Sequence, residues 1–425
     1  MPVGSRKDSM EAKGSAVNGN RRYLILIAAS ICAGLTGVTY VWSIFTSPLI
    51  QAHGWLSSEV SLAYSLYFVM QFFMGFVGGG LQRRFGTRRL AVIGGVMYSL
   101  AWICMGQADT LPMLYFSFSF LGGGGAGLVY NSSVAVATKW FPDKKGFANG
   151  LCIGVTGLTP LAFAPLGNYL VEAFDLGTSL TIIGVIPLVF YLVFTWFIIA
   201  PADDWQPEGM GPAQPEGGDS GAAARNFTTG EMVRTPLFWA MLAAFAFSAS
   251  SGSMVTSHGA SIGAEFVGLT SAQAALQVGI LAVGNFCGRF GFGALSDRVG
   301  RANTLLITLG ITLADMLVLF PLASDFFTFA VAMVLAGACY GASLTVIPSL
   351  CGDAFGTRYF GQNYGLLFSG LSIASILGPM VGAWAKDATG SFMPAVHAAA
   401  IFAVAGIVSV LILKALEKRV RRRNA

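Results

Sequence analysis

The sequence predicts an all-α membrane protein in which twelve transmembrane helices form two pseudo-symmetric bundles of six. Three observations predict this fold class: an apolar composition, twelve apolar runs of spanning length, and a repeat that relates the two halves of the chain. Of the 425 residues, 55% belong to the apolar set and 11% are charged, whereas a soluble domain has about 25% charged residues. This composition excludes a soluble globular protein.

Glycine and cysteine usage agree with a membrane location. The 54 glycines are spread through apolar segments without a Gly-X-Y period, which excludes collagen and predicts close helix packing in lipid. The six cysteines also lie in apolar stretches, with no CxxC pair. We therefore expect free thiols, no disulfide framework, no metal site and no cofactor.

Each predicted span satisfies the length that a bilayer requires, about 20 apolar residues. The twelve runs are 23–50, 58–81, 90–107, 111–138, 147–172, 177–200, 236–264, 271–295, 302–321, 326–353, 361–385 and 391–413. No small-residue cleavage site follows the first run, so we expect a retained helix rather than a signal peptide. The predicted organisation is a disordered N-terminus (1–20), a first bundle (21–200), a linker (201–234), a second bundle (235–413) and a basic tail (414–425).

Basic residues are concentrated on one side of the predicted membrane. Both termini lie on the same side, which carries all of the 25 lysines and arginines except Arg289, inside a span, and Lys386, in an opposite loop. The positive-inside rule predicts cytoplasmic termini, and we expect a multi-pass protein of the plasma (inner) membrane. The net charge of +5 then reflects topology and gives no reason to expect nucleic-acid binding, and the basic tail is expected to lie against anionic lipid.

The second half of the chain repeats the first at an offset of 214 residues (293 − 79 = 214). In the loop after the second span, Gly79, Arg84 and Gly86 align with Gly293, Arg298 and Gly300 after the eighth span. Parallel repeats joined by a linker are typical of transporters whose substrate site lies between the halves at mid-membrane.

The loop after the eighth span carries a recognisable motif. Gly293-Ala-Leu-Ser-Asp297-Arg298-Val-Gly300-Arg301 closely resembles the loop motif of the major facilitator superfamily, and the resemblance covers all twelve spans. In that family the aspartate helps to lock the two halves together on the cytoplasmic side. The first copy departs from the motif because Arg83 replaces the aspartate.

Three further strings narrow the resemblance. Tyr40-Val-Trp-Ser-Ile-Phe45, Glu231-Met-Val-Arg-Thr-Pro-Leu-Phe-Trp239 and Asn285-Phe-Cys-Gly-Arg289 are similar to the oxalate/formate antiporter and monocarboxylate transporter branch. This resemblance implies that Arg289 binds the substrate carboxylate.

Arg289 is also the most informative residue on chemical grounds. An arginine inside the membrane costs at least about 2.5 to 3.5 kcal/mol, and its repeat partner is Gly75 (289 − 214 = 75), so it does not belong to the shared scaffold. Its planar guanidinium suits bidentate binding of a carboxylate. Asn285 lies one turn earlier on the same face, and its repeat partner is Gln71 (285 − 214 = 71); the two amides are candidate hydrogen-bonding partners of the substrate. The alternative for Arg289 is a side chain that extends to the cytoplasmic interface of the membrane. The alternative for Asn285 is a hydrogen bond that joins neighbouring helices.

Other polar residues on cavity-lining spans complete the predicted pocket. Tyrosines supply a hydroxyl donor and an apolar wall for a short carbon chain. The candidates are Tyr40, Tyr130, Asn131 and Tyr340. By resemblance, oxalate transporters carry a lysine where this chain has Leu371, and monocarboxylate transporters of animals carry an aspartate where it has Asn285. A single cation fits one carboxylate, because a dianion would leave a charge unpaired in low dielectric.

We therefore predict a proton-coupled symporter of small monocarboxylates such as lactate or pyruvate, acting as a monomer by alternating access. A co-transported proton makes import of a monoanion electroneutral, which avoids about 2.3 kcal/mol per 100 mV. His258 and Glu265 in the seventh span are the candidate proton sites. The alternatives are a carboxylate exchanger of the oxalate/formate type and, remotely, a carboxylate sensor. No hydrolase, zinc-protease or ATP-binding motif is found, so no enzyme activity is expected.

Overall fold

The computed structural model of the protein describes residues 21–141, 145–201, 226–356 and 359–424. All regular structure in these ranges is helical. The long helices are α1 (Arg21–His53), α2 (Ser57–Phe85), α3 (Thr87–Met105), α4 (111–140), α5 (Lys145–Ala173), α6 (Leu176–Phe197), α7 (Pro236–Val267), α8 (Ser271–Val299), α9 (Arg301–Leu322), α10 (Phe326–Phe355), α11 (360–389) and α12 (Met393–Asn424). The helices α1 to α6 form the first half, and α7 to α12 form the second half. The end of the bundle opposite the termini is called the outer end below.

The helices have the length and surface of membrane spans. Eleven of them are long and apolar enough to cross a membrane. The remaining one, α4, is continuous but contains a π-helical segment, Tyr115–Gly123, between Leu111–Leu114 and Gly124–Trp140. Large apolar side chains point outward, for example Phe327, which is 78% exposed, as expected of a surface in contact with lipid. The predicted all-helical membrane fold is confirmed.

The repeat is visible in the turns between helices. Gly54 and Gly268 end α1 and α7 with φ of 68° and 65°, and Gly86 and Gly300 follow α2 and α8 with φ of 80° and 91°. Each pair is separated by 214 residues (268 − 54 = 214; 300 − 86 = 214). Positive φ favours glycine because it has no Cβ, so the same turn chemistry is used in both halves.

The repeat is also visible on an axis between the halves. Ser47 in α1 and Ser261 in α7 are separated by 214 residues, and their hydroxyl oxygens lie 3.2 Å apart. A residue and its repeat equivalent can touch only where the pseudo-two-fold axis passes between them. The helices α1 and α7 therefore meet on this axis near the outer end.

The structure adds detail where the linker and tail were predicted. A short helix, Thr229–Val233, precedes α7 and is capped by the Thr228 hydroxyl. The last helix continues through the predicted basic tail to Asn424, since no helix breaker separates that stretch from the last span. Several predicted features lie outside the described part of the chain. They are the segment 1–20, most of the linker, the surroundings of Gly79, and the side chains of Arg83 and of Arg421 to Arg423 in the basic tail.

Candidate functional site

A small cavity lies between the two halves at mid-depth. Its free volume is about 10 Å³, which is room for about one water molecule. The first half contributes Tyr40, Gly157 and Pro160, and the second half contributes Thr256, Asn285 and Tyr340.

Arg289 lies beside this cavity on α8 and is 6% exposed. Its Nε donates to the Asn285 side-chain oxygen at 2.9 Å, as the four-residue spacing along one helix face predicts. Its Nη1 donates to the carbonyl oxygen of Ile153 in α5 at 2.7 Å. The guanidinium thus joins the two halves of the protein.

No carboxylate pairs with Arg289 among the residues that the structure describes. Two of its three nitrogens are held by neutral oxygen atoms, which orient the guanidinium but leave its charge uncompensated. A buried charge without a counter-ion is costly. Arg289 therefore carries a buried positive charge that no carboxylate among the described residues balances.

Four tyrosines lie within electrostatic reach of the Arg289 guanidinium: Tyr40, Tyr130, Tyr340 and Tyr364. The first three were candidates from the sequence, whereas Tyr364 was not. The Tyr340 hydroxyl is buried and has no hydrogen-bonding partner within the described ranges. Phenol donors around a guanidinium can hydrogen-bond a carboxylate or a neighbouring hydroxyl or keto oxygen.

Gly157 and Thr256 are site residues that sequence reasoning did not identify. A Cβ atom at position 157 would lie 3.1 Å from Asn285 Oδ1 and 3.8 Å from Arg289 Nε. Because glycine has no side chain, this point of α5 leaves room for the hydrogen-bonded pair of Asn285 and Arg289. The Thr256 hydroxyl donates to the Gly252 carbonyl oxygen of its own helix at 2.7 Å.

The remaining pocket candidates lie away from the cavity wall. The Asn131 amide donates to the carbonyl oxygen of Gly75 and thereby joins α4 to α2. The backbone of Gln71 packs against Gly127 of α4. Leu371 is 3% exposed and belongs to an apolar cluster that also contains Tyr340.

The two proton-site candidates on α7 have different surroundings. The His258 ring is fully buried, with Nε2 2.9 Å from the Pro379 carbonyl oxygen and 3.4 Å from the Ser61 hydroxyl oxygen. Glu265 forms an ion pair with Lys386 at 2.7 Å and accepts hydrogen bonds from the hydroxyl of Ser391 and the amide of Phe392. Glu265 is therefore held by several partners near the outer end.

The loop motif after α8 forms a local ion-pair network within the second half. Arg301 Nη1 lies 2.5 Å from Asp297, and its Nε lies 3.3 Å from Asp353 at the end of α10. Arg298 is exposed, and Gly293 packs against Thr345 of α10. The corresponding Arg84 in the first half is exposed, with its guanidinium 5.5 Å from the Phe85 ring centre.

Comparison with known proteins agrees with this architecture. A model of the Major Facilitator Superfamily matches residues 26–326 and 265–425. The oxalate:formate antiporter of Oxalobacter formigenes is 30% identical over 367 residues, which cover 86% of this chain and 85% of that protein. Monocarboxylate transporter 13 of Rattus norvegicus is 23% identical over 391 residues, covering 92% and 88%.

A solved structure supports the fold. A bacterial homolog to the human lysosomal transporter Spinster, in an inward-facing and unoccupied conformation, superposes with a TM-score of 0.68 at 18% identity. The match covers 93% of this chain and 96% of that one. The resemblance predicted from the loop motif and the three strings is confirmed.

Proposed function

This chain belongs to the Major Facilitator Superfamily, and we propose on that basis that it is a secondary transporter of small monocarboxylates of the lactate and pyruvate type. The observation that carries the proposal is Arg289, which is 6% exposed and has no acidic partner within the described ranges. A substrate carboxylate would compensate its charge through the bidentate geometry that arginine offers. The carboxylate of a ligand then takes the role of the missing counter-ion.

The preference for one carboxylate follows from the charge of the cavity. Arg289 places a cation at the cavity through its bond to the cavity-lining Asn285, and none of the residues that line the cavity is basic. The position where oxalate transporters carry a lysine holds Leu371, which is buried in an apolar cluster. A second carboxylate would therefore enter a low-dielectric region without a cation.

The second candidate function is a carboxylate exchanger of the oxalate/formate type. It is favoured by the 30% identity to the oxalate:formate antiporter, which exceeds the 23% identity to monocarboxylate transporter 13. In that case transport requires a carboxylate on the opposite side of the membrane rather than a proton gradient.

Proton coupling is the second element of the proposal. One proton moving with one monoanion is electroneutral and removes the cost of about 2.3 kcal/mol per 100 mV. His258 is the stronger of the two proposed proton sites, since Glu265 already has a lysine partner.

We further propose that the protein acts as a monomer in the plasma (inner) membrane with both termini in the cytoplasm. The orientation is supported by basic residues such as Arg84, Arg88 and Lys139, which lie at the end of the bundle that bears the termini.

A competition experiment tests the substrate class. Purified protein in liposomes loaded with L-lactate is assayed for uptake of labelled L-lactate against an excess of unlabelled formate, acetate, pyruvate, oxalate or malonate. We expect the monocarboxylates to inhibit at least about tenfold more strongly than the dicarboxylates, which corresponds to about 1.4 kcal/mol. Stronger inhibition by oxalate than by pyruvate would contradict the single-carboxylate assignment and favour the exchanger.

A further inference from the structure

Asp387 joins the two halves of the protein at the outer end. Its Oδ1 accepts a hydrogen bond from the backbone amide of Ser57 at 2.9 Å, and its Oδ2 accepts one from Ser58 at 2.8 Å. Asp387 belongs to α11, whereas both serines form the first turn of α2. The amides of a first turn have no acceptor within their own helix, and a helix N-terminus attracts negative charge.

Among the described hydrogen bonds, the first turn of α8 has no equivalent of this contact. The helix α8 is capped from within by Thr270, whose hydroxyl accepts from the Gln273 amide at 3.3 Å. The equivalent residue before α2 is Leu56 (270 − 214 = 56), whose side chain has no polar atom. The Thr270 hydroxyl serves the amide equivalent to that of Glu59 (273 − 214 = 59), whereas the amides of Ser57 and Ser58 have their carboxylate acceptor in the other half.

The position of Asp387 is not explained by its own helix. It lies in the last turn of α11, which ends at Thr389, and a carboxylate near a helix C-terminus is unfavourable for the helix dipole. The neighbouring Lys386 is ion-paired with Glu265 of α7 at 2.7 Å. The second half thus holds the end of α11 in place while Asp387 contacts the first half.

Two further polar contacts between described residues join the halves near the outer end, and both are neutral. They are the hydroxyl contact of Ser47 with Ser261 at 3.2 Å and the approach of His258 to Ser61 at 3.4 Å. Asp387 contributes a charge and two hydrogen bonds, and it is exposed, so water can replace α2 as its partner when the halves separate.

We propose that Asp387 is the latch that holds the outer end closed by capping α2 across the interface between the halves. It is a positioning residue of the transport cycle and does not contact the substrate cavity. The inference rests on the alternating access of the proposed function, because a latch matters only if the halves part at this end.

The test measures access to the cavity from the outer side. In a variant in which the six native cysteines are replaced by alanine, Thr256→Cys places a thiol on the cavity wall. A separate protein with Ser324→Cys carries a thiol in the outer-end loop between α9 and α10, and its labelling identifies the side of the sealed vesicles that the outer end faces. A membrane-impermeant thiol reagent is then added from that side. The labelling rate at position 256 reports how often the outer end opens.

Asp387→Asn keeps the shape of the side chain but removes its charge and one of its two acceptor oxygens. Asp325→Asn is the matched control, because Asp325 accepts from the amides of Phe327 and Thr328 at 2.8 and 2.9 Å but caps α10 within the second half. We expect labelling to rise about three- to tenfold in Asp387→Asn and to stay unchanged in Asp325→Asn. Unchanged labelling in Asp387→Asn, or an equal rise in the control, overturns the proposal.

A second variant keeps the proposal testable if Asp387→Asn does not fold. Ser58→Cys combined with Asp387→Cys can be joined by a short bifunctional thiol reagent, which is expected to suppress outer-side labelling at position 256 at least tenfold. Persistent labelling of the cross-linked protein overturns the latch. Both readouts are independent of substrate, so a protein that does not carry lactate still reports on Asp387, and a failed latch leaves the competition experiment intact.

Discussion

Around Arg289, single residues provide different parts of the proposed carboxylate site. Asn285 and the Ile153 carbonyl oxygen orient the guanidinium through bonds of 2.9 and 2.7 Å. Tyr340 contributes a buried hydroxyl without a partner in the described ranges. Gly157 contributes space, because any side chain at this position would press on the Asn285–Arg289 pair.

The role of Gly157 gives a prediction at this scale. In Gly157→Ala the added methyl group would lie 3.1 Å from Asn285 Oδ1, which requires the pair to shift. We expect the KM for L-lactate to rise about tenfold, equivalent to about 1.4 kcal/mol of binding, with near-normal amounts of protein in the membrane. Initial uptake rates over a range of lactate concentrations measure this change.

Gly150 provides the control on the same helix. A Cβ atom at position 150 meets nothing within 4 Å, so Gly150→Ala is expected to leave the KM unchanged. An equal effect of both substitutions would mean that α5 responds to any loss of glycine, and the role assigned to Gly157 would be wrong.

Residue chemistry explains which members of the site the sequence reveals. Arg289 is found because a charge in a membrane span is costly and therefore conspicuous, and Asn285 is found because it lies one turn away. Gly157 and the Ile153 carbonyl group carry no chemical signature in a sequence, since glycines are common in all spans and every residue has a carbonyl group. Their place in the site depends on how α5 crosses α8.

At the scale of helices, close glycine contacts hold the element that carries Arg289. A Cβ atom at position 341 of α10 would overlap the Asn285 carbonyl oxygen, and one at position 337 would overlap that of Leu281. The repeat equivalents Gly127 and Gly123 pack in the same way against α2 (341 − 214 = 127; 337 − 214 = 123). The helix pairs α2–α4 and α8–α10 therefore share one packing design.

The α8–α10 contact yields a stability prediction. Gly341→Ala forces the two helices apart, and overpacking of this kind costs about 1 to 3 kcal/mol. We expect a lower midpoint of thermal unfolding in detergent, whereas Gly310→Ala on α9, where a Cβ atom meets nothing within 4 Å, should leave it unchanged. A Gly341→Ala protein as stable as wild type would contradict the packing described here.

Helix lengths were predictable from apolar runs, but local departures from α-helix were not. The π-helical segment Tyr115–Gly123 of α4 and the interruption of α11 at Phe368 lie within continuous apolar stretches. Hydropathy reports only that a stretch prefers lipid. The exact backbone geometry is decided by packing against neighbouring helices, as at Gly123, which contacts the Tyr67 backbone.

At the scale of the whole molecule, the two halves share a scaffold but differ at individual positions. The turn glycines Gly86 and Gly300 are equivalent, whereas Arg289 replaces Gly75 and Thr270 replaces Leu56. The repeat could be predicted from the sequence because it preserves residue types at a fixed offset. The contact of Asp387 with α2 could not, since it joins residues about 330 positions apart.

The most direct test of the account is uptake of labelled L-lactate into proteoliposomes, with and without an inward proton gradient. Wild type is compared with Arg289→Gln and with Arg88→Gln, a control arginine whose guanidinium lies 4.0 Å from the Trp196 ring centre, away from the cavity. The account predicts gradient-driven accumulation in wild type and Arg88→Gln and its loss in Arg289→Gln. Accumulation that survives in Arg289→Gln, or that appears only after preloading with oxalate or formate, would contradict it.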